Sequence, residues 1–186
     1  MTGRVLPMPD AIPESARLSA VLALLFPEDE VLKLIAIRRT EDGRAHSGQI
    51  SLPGGGREAG DADLQATALR EAEEEIGVNR ADVRMLGALT TLYIPVSNYI
   101  VHPFVGWVAS RPDYSASEGE VSEILELPLL PLFEAERKIV TEVRPSSMPG
   151  VAFTVPAYSL EDGTFIWGAT AMILSELEVI LEDLRK

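Results

Sequence analysis

The sequence predicts an α/β fold, a mixed β-sheet held between helices. Short apolar runs rich in β-branched residues recur along the chain and read as strands, while residues 62–76 and 168–184 repeat apolar side chains at helical spacing. With 186 residues, 46% of them apolar, the chain can bury one sizeable core and is too short for two comfortable ones. Elements of both kinds around one core give a layered α/β assembly.

Residues 1–15 are proline-rich and polar and read as an arm, leaving 16–186 as one domain. Residues 18–26 and 31–37 are apolar strands, and the acidic link Pro27-Glu28-Asp29-Glu30 reads as a hairpin turn. A charged loop with Gly43 follows over residues 40–47. Helix 62–76 sets Leu69, Ala72 and Ile76 opposite an acidic face, and Gly77 ends it. Residues 83–92 and 100–109 read as strands joined by 93–99 with Pro95, Ser97 and Asn98. Residues 120–133 start acidic and continue as Leu127-Pro128-Leu129-Leu130-Pro131, whose prolines forbid a long helix. Residues 139–143 and 151–158 are further strands. The closing helix carries the stripe Ala171, Leu174, Leu177, Ile180, Leu181 and Leu184.

Composition narrows function. No cysteine is present, which excludes disulfides, thiolate nucleophiles and zinc–thiolate sites. A net charge of −13 opposes non-specific nucleic-acid binding, so cations that meet an anionic substrate must be placed locally. Lys33, Arg38, Arg39 and Arg44 are the dense basic cluster near the motifs below. No apolar run is long enough to cross a membrane, and residues 1–10 lack a signal-peptide core, so a cytoplasmic enzyme is expected.

The most informative stretch joins the turn Leu52-Pro53-Gly54-Gly55-Gly56 to the helical run Arg70-Glu71-Ala72-Glu73-Glu74-Glu75-Ile76-Gly77-Val78. At about 100° per residue, Glu71, Glu74 and Glu75 fall within one arc of roughly 100°. An acidic helical run alone is more often a solvated face. Here a turn that lets backbone approach a ligand stands upstream, and three carboxylates that repel one another make sense around a divalent cation.

This pairing resembles the Nudix box. Gly56 fills the opening glycine, Arg70-Glu71 the central pair, Glu74-Glu75 the double acid and Gly77-Val78 the close. Where that family has its first Glu this chain has Ala62, and either Asp61 or Asp63 can supply the carboxylate. Upstream, Arg39, Arg44, Gly48, Pro53, Gly54 and Gly55 are similar to the signature of the coenzyme A diphosphatase branch, with Thr40 for Ser and Leu52 for Phe.

The resemblance implies an α/β/α sandwich, Mg²⁺ or Mn²⁺ as cofactor, and a small-molecule diphosphate as substrate. It implies Glu74 and Glu75 as metal ligands, Glu71 as ligand or base held by Arg70, and the Gly55 or Gly56 carbonyl as a further ligand. Arg39, Arg44, Gly54 and Gly55 are the implied substrate contacts. Among Glu118, Glu120 and Glu123, Glu120 is the expected remote base. Coenzyme A or an acyl derivative is the expected substrate; ADP-ribose or another diphosphate, and a Nudix-fold sensor that binds without hydrolysis, stay open. Family analogy also allows a homodimer. His46 and His102 both read as surface or hydrogen-bonding residues, with a phosphate contact by His46, between Arg44 and Gly48, as the alternative. Tyr93, Tyr99, Phe104 and Trp167 are expected to pack in the core rather than stack on a base.

Overall fold

The computed structural model describes residues 12–41, 48–144 and 150–186. The sequence expectations for Arg44, His46 and most of the N-terminal arm lie outside them.

Two long strands form the spine. β1 (Arg17–Glu28) and β2 (Val31–Arg39) are antiparallel, joined at Asp29 and Glu30, both at positive φ. Two consecutive left-handed residues give a turn whose twist matches the strands it joins. β7 (Tyr99–Trp107) pairs with β1 in parallel over nearly its whole length. β3 (Ile50–Ser51) and β8 (Val121–Pro128) pair antiparallel with β2, β4 (Gly54–Gly56) with β1, and β5 (Arg84–Ala88) and β6 (Leu92–Ile94) with β7. One parallel pair among antiparallel neighbours makes the sheet mixed, as predicted.

Alternation along β1 and β2 sends side chains to two cores. Ala20, Leu22, Leu24, Phe26, Ile35 and Ile37 face α1 (Leu64–Ile76), meeting Ala68, Ala72 and Ile76. Ala23, Leu25, Leu34 and Ala36 face the other way, toward the one-turn helix α2 (Leu129–Leu132) and α3 (Gly168–Leu184). Helices thus cover both faces. A second sheet, β9 (Lys138–Val143), β10 (Phe153–Ser159) and β11 (Phe165–Trp167), joins the α3 core through Tyr158 and Ile166. There the buried Glu178 accepts from Tyr158 Oη at 3.0 Å and Lys138 Nζ at 2.6 Å.

As expected, the prolines leave no long helix over residues 120–133: residues 121–128 form β8, ending at Pro128, and only the one-turn α2 follows. Two expectations are corrected. The segment read as the 93–99 link contains β6, a short strand folded back on β7. On α3 the packed face is Ala171, Ile173, Leu174, Leu177 and Glu178, while Ile180 and Leu184 are exposed because the last turns outrun the surface they pack on.

Candidate active site

The glycine turn becomes β4, laid on β1 with Ser19 opposite Gly56, Ala20 opposite Gly55 and Val21 opposite Gly54. Leu52 is buried and anchors the turn, whose Pro53 carbonyl accepts the Leu22 N–H at 2.8 Å. Gly54 has φ +156°, and a Cβ on it would collide with the Ala20 carbonyl and Val21. A Cβ on Gly55 would stand 2.5 Å from the Glu71 carboxylate. The turn therefore presses its backbone against the helix carboxylates, which residues with side chains could not do.

Arg70 ties the turn to the helix. Its Nη2 donates to the Gly56 carbonyl at 3.0 Å, and its Nη1 donates to Glu71 at 3.0 Å and Glu74 at 2.9 Å. Nε and Nη2 also form a fork onto Asp61, at 2.9 and 3.1 Å. Asp61 is buried and further accepts from the Thr67 hydroxyl and the Glu58 N–H, both at 2.9 Å. The Arg70 guanidinium, helped by the Glu58 N–H, holds its carboxyl well below the usual carboxylate range. Asp63 is instead the N-cap of α1, accepting the Ala66 N–H at 2.8 Å.

Glu75 is the most buried acid at the site, 2% exposed. It accepts from the Gly54 N–H at 2.8 Å and from Arg39 Nη1 at 3.2 Å. Burial nevertheless pushes its carboxyl up to about 7, with the charges of Glu71 and Glu120 adding to the rise. Glu71 is raised too, again first by burial and against the pull of Arg70. Carboxylates this poorly solvated favour a cation beside them.

Other predicted residues are placed as follows. Glu120 lies near enough for its charge to raise both Glu71 and Glu75, and its carbonyl accepts the Thr40 N–H at 3.0 Å. Glu123 pairs with Arg38, which also reaches Asp162. Lys33 does not join a basic cluster at the turn. It pairs with Glu28 and Glu126 toward the opposite end of β2, where Arg111 and Tyr114 complete the network. Glu74 shares its arc with Glu71 and Glu75 but leaves 56% of its side chain exposed. Among the described residues, no three His, Asp or Glu side chains stand together at ligand spacing. His102 Nδ1 meets the Thr91 hydroxyl at 3.1 Å, and burial lowers its pKa. Phe104 packs against the α1 core as expected, whereas Tyr99 carries the Arg17 guanidinium 4.1 Å above its ring.

A family model of the NUDIX domain matches residues 16–148. The chain belongs to the Nudix hydrolase family. It is 33% identical over 150 residues to a protein of Pectobacterium atrosepticum described as the uncharacterized Nudix hydrolase NudL, covering 81% of this chain and 76% of the relative. The NudL of Yersinia enterocolitica is 32% identical over 171 residues, covering 92% and 85%. Among solved structures, a MutT/nudix family protein from Enterococcus faecalis aligns with a TM-score of 0.61 at 18% identity, covering 96% of this chain and 66% of that one. The Nudix domain of Shewanella oneidensis NrtR, solved with ADP ribose, aligns with a TM-score of 0.52 at 19% identity, covering 63% and 76%. These structural likenesses carry the fold.

The Nudix box of this chain has Ala62 at its first Glu position, and the two aspartates beside it are placed differently. Asp61 grips the box arginine one position before Ala62, while Asp63 is committed to capping the helix. Thr67, which steadies Asp61, lies in the tract Ala66-Thr67-Ala68-Leu69, which in sequence resembles the coenzyme A diphosphatase branch, though its hydroxyl bond to Asp61 needed the fold.

Proposed function

We propose that this Nudix hydrolase cleaves the diphosphate of coenzyme A or an acyl derivative, giving 3′,5′-ADP and the (acyl-)4′-phosphopantetheine. The observation that carries the reading is the hydrogen bond from Arg39 to Glu75. It brings the upstream signature arginine onto the box helix, with 35% of the Arg39 side chain still open to a ligand.

The donor set suits a hard divalent cation. The carboxylates of Glu71 and Glu75 are poorly solvated, and the Gly55 backbone lies against Glu71 with no room for a side chain. In this reading Glu71, Glu74, Glu75 and the Gly55 carbonyl would hold Mg²⁺ or Mn²⁺, the three carboxylates drawing in from positions that do not stand at ligand spacing without the ion. When bound, the ion supplies positive charge to the diphosphate oxygens and makes a nearby water more acidic. Arg70, itself held by Asp61, fixes Glu71 and Glu74 in place. Arg39 and Arg44 orient the diphosphate, and the Gly54–Gly55 backbone lets it approach closely. Glu120 takes the proton of the attacking water. We place the enzyme in the cytoplasm and, by family analogy, as a homodimer, which gel filtration tests.

Product chromatography tests this. Coenzyme A, acetyl-coenzyme A, ADP-ribose and NADH are offered with Mg²⁺ or Mn²⁺, with Glu74→Gln/Glu75→Gln protein as blank. Coenzyme A yielding 3′,5′-ADP far faster than ADP-ribose yields AMP is the expected result. Faster turnover of ADP-ribose, the ligand in the NrtR structure, would overturn the substrate while keeping the reaction. Tight nucleotide binding without metal-dependent turnover would favour a sensor.

A further inference from the structure

The stretch between β7 and β8, residues 108–120, has no strand or helix of its own, yet it is docked firmly. The Ser115 N–H donates to the Ile76 carbonyl at 3.0 Å, and the Ser117 N–H to the Glu75 carbonyl at 2.9 Å. Both acceptors belong to the last turn of α1, whose carbonyls have no partner within the helix. Gly77 caps that turn at φ +69°, with its N–H returned to the Glu73 carbonyl. A Cβ on Gly77 would stand 2.8 Å from the Ser115 hydroxyl. Beyond Ser117 the chain turns sharply, since the Glu120 and Val121 N–H groups both donate back to the Ser117 carbonyl. The Glu120 carbonyl is then held by the Thr40 N–H at the end of β2.

Glu75 is thus tied twice. Its side chain is held by Gly54 and Arg39, and its carbonyl by the loop that delivers Glu120 three residues later. We propose that this clasp sets the separation between Glu120 and the α1 carboxylates, with Gly77 and Ser115 as positioning residues. Gly77 supplies the left-handed cap and also the space in which Ser115 seats. The inference rests on Glu120 as the remote base.

Steady-state kinetics and melting curves on the full chain with Mg²⁺ and the substrate identified by product analysis test it. Gly77→Ala pushes the loop outward and is expected to lower kcat about tenfold or more while KM stays nearly constant, since misplacing a reacting group by an ångström is that costly. Ser115→Ala added to Gly77→Ala removes the colliding hydroxyl and is expected to restore most of kcat, although the cap position keeps its left-handed strain. Ser117→Pro deletes the N–H held by Glu75 without altering α1, and is expected to lower kcat similarly even if Gly77→Ala misfolds. In a Glu120→Gln background, Gly77→Ala is expected to cost no further rate. Failure of Ser115→Ala to rescue, or an undiminished loss in the Glu120→Gln background, would overturn the clasp. A wild-type rate in Gly77→Ala and Ser117→Pro beside a slow Glu120→Gln would overturn the clasp alone, and a wild-type rate in Glu120→Gln would remove the base and the clasp together.

Discussion

Two aspartates two positions apart have different tasks, and a pair of substitutions separates them. Asp63→Ala removes a helix cap and is expected to cost about 1 kcal/mol in urea unfolding with kcat nearly unchanged. Asp61→Ala frees Arg70 from its fork and is expected to lower kcat about 10–100-fold, the usual cost of losing a residue that orients a ligand. The sequence left both aspartates open because the choice depends on which one the turn aims at Arg70. Glu75 adds a pH dependence. Burial raises its folded-state carboxyl from the ordinary 4.5 to about 7, so the folded protein holds this proton more tightly than the unfolded chain. The stability that comes from Glu75 is present below pH 4.5 and is lost as pH rises through about 7. A cation beside the carboxylate offsets that loss. Melting temperatures are therefore expected to rise more on adding Mg²⁺ at pH 8 than at pH 5.5, and an equal rise at both would contradict the assignment.

At the scale of elements, the helices were the most legible parts, since their apolar spacing survives in the fold and α3 has its predicted ends. Which residues a helix buries was less legible. The sequence stripe includes Ile180, but burial follows contact with the sheet, and the helix runs past that surface. Leu174→Ala is expected to cost about 2–5 kcal/mol in urea unfolding, while Ile180→Ala stays within about 0.5 kcal/mol. Equal costs would mean that the packed face is wrongly placed. Strands were legible where apolar runs are nearly continuous, as in β1 and β2. β4 has no side chains to signal a strand and exists because β1 offers it a ladder. The prolines at and after the end of β8 argue only against a long helix and leave the strand before them unmarked.

At the scale of the molecule, the proposed reading has an acidic chain meet an anionic substrate through Arg39 and a bound cation where the sheet, the glycine turn and α1 meet. The box positions were readable because the glycine turn and the acidic helix together resemble the family pattern; the helix face alone reads as solvated. The partners of that face come from distant segments and needed the fold: Arg39 from β2, Gly54 from β4 and Glu120 from the loop before β8. The remaining described basic residues are mostly spent on ion pairs elsewhere, Lys33 among them. We propose that the α1 carboxylates hold a divalent cation and that Glu120 acts on the water beside it. Mn²⁺ binding followed by electron paramagnetic resonance, alongside turnover, in the wild type, Glu75→Gln and Glu120→Gln proteins tests this. Glu75→Gln is expected to lose both Mn²⁺ and turnover with its fold intact, while Glu120→Gln keeps Mn²⁺ and loses turnover. Wild-type Mn²⁺ binding and turnover in Glu75→Gln would contradict it.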